Sequence, residues 1–349
     1  MRRYTLLLIV LAAAVAAPTG LGAGSAGSTG GEASFALTPV HFDRSVRESR
    51  SYFVIKAAPG ATVSNSVRVF NVGDTPGTIA LYPVDATTGA TSGAVYEGRN
   101  VARRDVGRWV SLGSSRVTLA PHSSTQVPVT VHVPAHAVPG DHLGGIVAQN
   151  LQLSAPPQQG DLHVRIRHLT IVAVEVQVPG PASAQLRLVG VRPGGARGFQ
   201  YVYVKLENTG RLMMKPHGLF VVRNSKGQII GSARLNLDLI LPHTSIEYPV
   251  LLRGHVLDPG TYQANLRLAY NGIATGYRKK AGPVKHLSAT LPLHVSEAQQ
   301  RQVYKGAPPA KAPAAKGLPS YALWAGAATF LLLLAAVVLL GIRQWARRS

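Results

Sequence analysis

Alternating apolar and polar residues along the middle of the chain predict β-strands. Every second residue from 127 to 133 is valine, and the alternate positions from 262 to 270 are Tyr, Ala, Leu, Leu and Tyr. A period of two is typical of a strand that buries one face, whereas an amphipathic helix repeats about every 3.6 residues. Many such short segments, separated by Pro-Gly and Gly-Asp turns, favour an all-β fold of sandwiches or barrels.

The strand pattern falls into two blocks. A Pro- and Gln-rich stretch at 154–160 separates them and predicts a linker. We therefore expect a first β-sandwich at 35–153 and a second at 161–295. The expected strands are 52–57, 62–70, 78–84, 117–120, 126–133 and 143–153 in the first block, and 201–207 and 262–270 in the second, where 162–178 is expected to be one long strand or a bent pair.

The N-terminus predicts an export signal. Arginines at positions 2 and 3 precede an apolar run that ends at Ala17, and small residues follow. This layout is typical of a secretory signal peptide, which we place at 1–26, with an uncleaved anchor as the alternative. Residues 27–34 are rich in Gly and Ser and are expected to be a flexible segment.

The C-terminus predicts a membrane anchor. Residues 321–342 are apolar and uncharged, and at about 1.5 Å per residue a helix of this length crosses a hydrocarbon core of about 30 Å. The stub at 343–349 carries arginines, and positive charge stays in the cytoplasm. We therefore predict a single-pass cell-membrane protein with a transmembrane α-helix, a cytoplasmic C-terminus, an extracellular bulk, and a Pro-, Ala- and Lys-rich stalk at 296–320.

Composition narrows the chemistry. The chain carries no cysteine and a formal net charge of +21, which excludes disulfides, thiolate metal sites and cysteine nucleophiles. Outside a cell, such a charge favours anionic wall polymer or lipid head groups over nucleic acid, and a general preference for arginine is the alternative. We find no catalytic or nucleotide-binding motif and no carboxylate pair suited to acid–base work. We therefore expect no enzyme, no cofactor and no metal.

Two basic loops are candidate contacts for anionic wall polymer or phospholipid, with a solvated loop as the alternative. A basic side chain near an anionic surface contributes about 1 kcal/mol. The candidates are Arg99, Arg103 and Arg104, beside Arg108, in the first block, and Arg278, Lys279 and Lys280, near Lys285, in the second.

Two further motifs in the first block are candidate glycan contacts. Thr87 and Thr88 belong to a polar run that we expect to be a loop, in which the hydroxyls face glycan or cap strand ends. Gly144 and Gly145 interrupt an apolar strand, which predicts a β-bulge or a close backbone approach by a ligand. The Asn-x-Gly motif that begins at Asn71 predicts a turn with positive φ rather than a ligand contact.

The order of the motifs in the first block resembles that of the peptidoglycan-binding module of the WxL-interacting proteins, which are surface proteins of Gram-positive bacteria. Residues 215–270 are similar, more loosely, to the second module of those proteins, and a C-terminal helix with a basic end completes the same layout. The similar segments of the first block are SYFVIKAAPG (51–60), SVRVFNVGDTPGTIALYPVDATTGATSGAVYEG (66–98), RVTLAPHSSTQVPVTVHVP (116–134) and DHLGGIVAQ (141–149).

The resemblance implies two tandem immunoglobulin-like sandwiches, attachment to peptidoglycan through the first module, and contact with another surface protein through the second. It predicts a membrane-anchored, non-catalytic adaptor at the cell surface. An extracytoplasmic chaperone or assembly factor for exported β-proteins is the alternative, because exposed sheet edges can receive a strand from a partner. A wall hydrolase is the third hypothesis and the least favoured.

Overall fold

The computed structural model describes residues 32–152, 167–196, 198–252 and 256–303, which form two β-sandwiches. A 3₁₀ turn at Arg47–Arg50 and the short helix α1 (Val106–Trp109) belong to the first. Its strands are β1 (Phe35–Pro39), β2 (Phe53–Lys56), β3 (Thr62–Asn71), β4 (Gly77–Thr88), β5 (Ala94–Tyr96), β6 (Val110–Leu112), β7 (Arg116–Leu119), β8 (Ser124–His132), β9 (Gly140–Asn150) and β10 (Leu169–Val178).

The first sandwich packs two sheets face to face. One has the strand order β1-β3-β8-β6, and the other has the order β2-β10-β9-β4-β5, with β7 also paired to β4. The alternating valines of β8 point into the space between the sheets, where Val127, Val129 and Val131 are buried with Trp109 of α1. The period of two seen in the sequence therefore marks the face of β8 that lies in the core.

Strand β10 corrects the predicted boundary between the blocks. Residues 162–178 were assigned to the second sandwich, but β10 pairs with β9 from Leu169 to Val178 and joins β2 in parallel. Its inward residues, Val172 among them, lie in the core of the first sandwich. The hydrophobic pattern of a strand indicates which face is buried but not which strand lies beside it. For this reason the sequence alone could not assign β10 to the correct sandwich.

The second sandwich begins after β10. Its sheets have the orders β11-β12-β15 and β14-β13-β16-β17, and its core contains Val204, Phe220 and Leu266. The all-β prediction is therefore confirmed. The elements are β11 (Leu186–Ala196), β12 (Phe199–Asn208), β13 (His217–Arg223), β14 (Ile229–Asn236), β15 (Ser245–Leu251), β16 (Gly260–Tyr270), β17 (Lys285–Val295) and α2 (Glu297–Val303).

Both sandwiches use the same asparagine device at the end of a strand. The Asn71 side chain accepts hydrogen bonds from the backbone N–H groups of Ser34 and Gly73, and it donates to the carbonyl of Thr75. Asn208, which also begins an Asn-x-Gly motif, accepts from Gly210 N–H and donates to the carbonyls of Leu212 and Ile240. The positive φ predicted at the Asn71 motif was wrong, because none of residues 71–73 is among the described residues with positive φ. The two buried asparagine side chains therefore satisfy the hydrogen-bonding groups of the neighbouring loop backbone.

The predicted termini are only partly within the described residues. Ala33 is 6% exposed and its carbonyl accepts a hydrogen bond from Asn150, so the described end of the flexible segment at 27–34 is ordered. Residues 297–303, assigned to the stalk, form α2, whose Val303 is buried. No helix in the described part of the chain is long and apolar enough to cross a membrane. The predicted signal peptide at 1–26, linker at 154–160 and membrane helix at 321–342 lie outside the described residues.

Candidate functional site

The second sandwich docks on the outer face of the sheet formed by β4, β9 and β10. Apolar side chains from both sandwiches meet at the centre of this contact, where Leu143 of β9 packs with Met213 and Leu241. Polar side chains surround them, and most have partners in the other sandwich. The two sandwiches are therefore joined by a built interface rather than by the connecting strand alone.

Asp141 and Arg278 form the principal ion pair across this interface. The guanidinium donates from Nη1 to Asp141 Oδ1 over 2.8 Å and from Nη2 to Oδ2 over 2.6 Å. The Asp141 side chain is fully buried, and its Oδ2 also accepts the backbone N–H of Met213. A buried carboxylate needs such donors, because a charge left unpaired in the interior is strongly destabilising. Arg278, predicted as a ligand contact, is therefore a structural residue of the interface.

Glu175 is a second buried carboxylate at the same contact. It is 2% exposed, and it accepts hydrogen bonds from the Thr275 hydroxyl over 3.0 Å and from Gln177 Nε2 over 3.0 Å. Burial raises the pKa of Glu175 to about 7, and the negative charge of Asp141 adds to the rise against the opposing hydrogen bond from Thr275. At neutral pH this side chain is therefore partly protonated.

Thr88 and Lys279 also hold the two sandwiches together. Thr88 Oγ1 lies 2.6 Å from the hydroxyl of Thr244 and accepts the backbone N–H of Leu241 over 2.9 Å. The ammonium of Lys279 donates to the carbonyl of Ser45 over 2.7 Å. Both residues were predicted as ligand contacts. Their polar atoms bind the other sandwich, and the run that contains Thr88 is the end of β4 rather than a loop.

A cleft of about 560 Å³ opens beside this interface. The first sandwich lines it with Thr87, Arg104 and His142, and the second lines it with Arg211 and His243. Carboxylates from Asp85, Glu97 and Asp105 share the same walls. The cleft therefore combines charges of both signs, which suits a polar ligand and does not concentrate positive charge.

The loop that carries Arg104 is held on the cleft wall by Asp85. This buried carboxylate accepts the backbone N–H groups of Arg104, Asp105 and Gly107. Arg103 donates from its guanidinium to the carbonyl of Gly107 over 3.3 Å. The loop is thus fixed at its base while the Arg103 and Arg104 side chains remain exposed.

His142 lies on the cleft wall with a hydrogen-bond acceptor beside each ring nitrogen. Its Nδ1 lies 2.8 Å from Asp105 Oδ1, and its Nε2 lies 2.8 Å from the carbonyl oxygen of Val138. Two acceptors at the two ring nitrogens favour the imidazolium form, in which both nitrogens donate. Burial of the ring lowers the pKa of His142, but the hydrogen bond and charge of Asp105 outweigh it and the pKa lies above its ordinary value.

The predicted glycine contacts are covered by the protein itself. A Cβ on Gly144 would lie 2.6 Å from the carbonyl oxygen of Val84, and a Cβ on Gly145 would lie 2.8 Å from the ring of Tyr96. The strand pairing is continuous through both positions, so the predicted bulge was wrong. The alternative prediction, a close approach to the glycine backbone, was correct. The approaching groups are side chains and backbone of this protein, not a ligand.

The structure therefore separates the candidate residues predicted from the sequence. Thr87 and Arg104 line the cleft, whereas Thr88, Arg278 and Lys279 bind across the interface. Arg99 lies over the ring of a tyrosine on β4, and Arg103 and Lys280 are exposed away from the cleft lining. No group of three or more potential metal-ligating side chains converges among the described residues.

Sequence reasoning missed Asp141, Glu175 and Gln177, which carry the polar contacts of the interface. Glu175 and Gln177 interrupt the apolar run of β10 at alternate positions. A charge and an amide on the second face of an otherwise apolar strand indicate that this face is also covered, by polar partners. That signal was present, and it points to a docking surface rather than to a ligand.

Two tandem immunoglobulin-like sandwiches with a polar interface define a class of modular β-proteins. Residues 35–150 match the family model described as WxL Interacting Protein, peptidoglycan binding domain. The first sandwich belongs to this domain family, and the resemblance to WxL-interacting proteins is confirmed. The family is one of binding domains. The match ends at residue 150, where β9 ends, and does not include β10, which pairs with β9 in the same sheet.

Other comparisons give weaker similarity. No curated protein sequence matches the chain. The chain is similar to the class 5 fimbriae chaperone CfaA at 14% identity, covering 72% of this chain and 98% of that one with a TM-score of 0.36. It is similar to the CsuC–CsuE pre-assembly complex of Acinetobacter baumannii at 10% identity, covering 75% and 98% with a TM-score of 0.36. It is also similar to the E. coli chaperone DraB at 14% identity, covering 74% of this chain and 98% of that one with a TM-score of 0.33. These TM-scores carry no argument about function.

Proposed function

We infer that this chain is a non-catalytic cell-surface protein that binds peptidoglycan through its first sandwich. The observation that carries this conclusion is the match of residues 35–150 to a peptidoglycan-binding domain family. The net charge of +21 supports it, because wall polymers are anionic and a basic protein is drawn to them over long range. Binding requires no catalytic group, and wall retention without turnover of wall material is the expected behaviour.

The chain is held at the membrane by residues 321–342, with both sandwiches outside the cell. The apolar run and the arginines that follow it support this orientation. Because the chain contains no cysteine, one engineered thiol reports topology. Ser288→Cys on an exposed position of β17 should react with a membrane-impermeant maleimide on intact cells. Labelling only after lysis would place the sandwiches inside and contradict the proposal.

A pelleting experiment tests wall binding. The purified full-length chain in detergent is mixed with purified peptidoglycan sacculi and centrifuged at two salt concentrations. Retention is expected to exceed that of an unrelated basic protein of matched net charge at both concentrations, because charge alone is screened by salt. Equal retention of the two proteins, or loss of both at the higher salt concentration, would count against specific wall binding.

Binding of a second surface protein is supported by an open seam in the second sandwich. Strands β14 and β15 are edge strands of the two facing sheets, and a groove of about 510 Å³ lies between Ser232–Leu235 and Tyr248–Leu251. Unpaired strand edges can accept a strand from another protein. The same seam favours the second candidate function, an assembly factor for exported β-proteins.

Thiol crosslinking distinguishes these candidates. Ser232→Cys places a reactive group on the seam, and Ser288→Cys on β17, at the opposite end of the same sheet, is the control. A crosslinked partner that stays with the wall fraction supports the adaptor. A partner that is an exported subunit, captured without wall binding, supports the assembly factor. Identical crosslinking from Ser232→Cys and Ser288→Cys would show that the seam is not a specific binding site.

A further inference from the structure

The outer face of the first sandwich carries an exposed apolar row away from the docked sandwich. In the strand register, Tyr82 of β4 lies opposite Val147 of β9, and Val147 lies opposite Ile171 of β10. The flanking residues Leu81 and Val172 point into the core, so Tyr82 and Ile171 point outward. Val147 between them is only 2% exposed, so the accessible apolar surface at this level of the sheet comes from Tyr82 and Ile171.

This row remains open, whereas the other end of the face is covered. Leu143 and Glu175, opposite each other on β9 and β10, contact the second sandwich. At the far end, Leu169 is 53% exposed and Ile171 is 38% exposed. The second sandwich covers one end of the outer face and leaves apolar side chains exposed at the other end. Exposed apolar surfaces of this kind mark interaction sites.

A second tyrosine and an arginine complete the surface. Because Gly145 has no side chain, the ring of Tyr96 lies on the sheet beside Ile171. The Arg99 guanidinium lies 5.0 Å from the ring centroid of Tyr82, and the Tyr82 hydroxyl donates to Gln149 Oε1.

Arg167 adds a second positive charge at the rim. Burial raises the pKa of the Tyr82 hydroxyl, and the charges of Arg99 and Arg167 act in the opposite direction. Arg167 is exposed and lies two residues before Leu169, the first residue of β10. We call Tyr82, Tyr96, Leu169, Ile171, Arg99 and Arg167 the aromatic patch.

The composition of the aromatic patch fits a glycan strand that bears carboxylates. Sugar rings present apolar C–H faces that pack on tyrosine and aliphatic side chains, while their hydroxyl and acetamido groups require donors and acceptors at the rim. The carboxylates of peptidoglycan peptides pair with guanidinium groups in bidentate geometry. The interdomain cleft suits such a ligand less, because Glu97 and Asp105 line it and repel carboxylates.

We propose that the aromatic patch is the surface on which the first sandwich holds peptidoglycan, with amino-sugar rings on Tyr82, Tyr96 and Ile171 and ligand carboxylates at Arg99 and Arg167. This assignment rests on the proposed function and names the site and the ligand chemistry through which it acts. The patch is apolar at its centre and carries Arg99 and Arg167 at its rim, and the carboxylate of Glu32, which lies by Leu169, is 3.9 Å from the imidazole of His168.

Pelleting of the full-length chain with purified peptidoglycan tests the patch. Tyr82→Ala and Leu169→Glu are each expected to weaken retention about ten-fold, as loss of a central binding residue does, and Arg99→Gln should weaken it less. Leu169→Glu replaces an exposed residue, so it tests the patch even if Tyr82→Ala does not fold. The matched controls are Phe42→Ala and Arg50→Ala, because Arg50 lies 5.4 Å from the exposed Phe42 ring elsewhere on the same sandwich.

The outcomes separate this inference from the function on which it rests. If the unmodified chain does not pellet with the wall, the proposed function fails. If the chain pellets and Tyr82→Ala and Leu169→Glu pellet equally well, the patch is not the site and wall binding lies elsewhere. If sedimentation shows a dimer that Leu169→Glu dissociates without loss of wall binding, the patch joins two copies and the inference is overturned. Selective loss in the patch variants, with both controls retained, supports it.

Discussion

Because the pKa of Glu175 is raised in the folded protein, the protein should become less stable as the pH rises from acid to neutral. This side chain lies in the interface, where Thr275 and Gln177 donate to it and the Tyr52 hydroxyl lies 3.5 Å away. Burial raises its pKa from 4.5 to about 7, and the charge of Asp141 contributes to the rise. In the unfolded chain the same carboxyl titrates near its ordinary value.

The direction of the effect follows from proton binding. Between pH 4.5 and 7 the folded protein holds a proton on Glu175 that the unfolded chain has lost. Stability is therefore complete below pH 4.5 and falls by about 1.4 kcal/mol per pH unit through this window, about 3 kcal/mol in all. His142 also has a raised pKa, so its contribution is complete below its ordinary value of 6.5 and is lost as the pH rises above that value.

Urea unfolding at pH 5, 6, 7 and 8, followed by tryptophan fluorescence, to which the buried Trp109 contributes, measures this loss. Glu175→Gln removes the titration and keeps an oxygen acceptor for Gln177. The variant should match the unmodified protein at pH 5 and exceed its stability by about 3 kcal/mol at pH 8. Glu247→Gln, on a surface carboxylate paired with Arg192, is the control and should show no such gain. Parallel pH curves for Glu175→Gln and the unmodified protein would refute the reasoning.

Three further substitutions test the interface, the asparagine device and the glycine contacts. Arg278→Ala leaves the buried Asp141 carboxylate unpaired and should cost about 3 kcal/mol, seen in calorimetry as separate melting of the two sandwiches; a single unshifted transition would contradict it. Asn208→Ala should cost about 3 kcal/mol in urea unfolding, because it leaves loop backbone groups unsatisfied, and a cost below about 1 kcal/mol would show that water replaces the side chain. Gly144→Ala should destabilise by about 2 kcal/mol because its Cβ meets backbone, whereas Gly190→Ala, whose Cβ meets nothing within 4 Å, should be neutral; equal effects would contradict the contact.

Strands with one solvated face were readable from the sequence. The expected strand at 62–70 is β3, Thr62–Asn71, and the expected strand at 201–207 is β12, Phe199–Asn208. The end of β4 was not readable, because its polar residues Asp85 and Thr88 are buried, Asp85 against the loop before α1 and Thr88 against the second sandwich. Alternation disappears where both faces are buried, so Thr87 and Thr88 resembled a loop.

The chemistry of the interface could not be read because its partners lie far apart along the chain. Asp141 and Arg278 are separated by 137 positions, and Thr88 and Thr244 by 156. A basic or hydroxyl side chain in a polar segment looks the same whether it meets a ligand or another part of the protein. Arg99 was selected for its charge, but its position over Tyr82 requires knowledge of the strand register.

The sheet of β4, β9 and β10 divides its outer face between two partners, and Gly145 lies at the division. On β9, Leu143 lies under the second sandwich, the buried Val147 lies level with Tyr82 and Ile171, and Gly145 stands between Leu143 and Val147 on the same face. These positions are about 14 Å apart end to end, at about 3.4 Å per residue. Because Gly145 has no side chain, Tyr96 packs directly on the sheet and joins the exposed row instead of the interface. One small residue thus lets a single sheet bury its polar end against a sandwich while it presents an aromatic surface at the other.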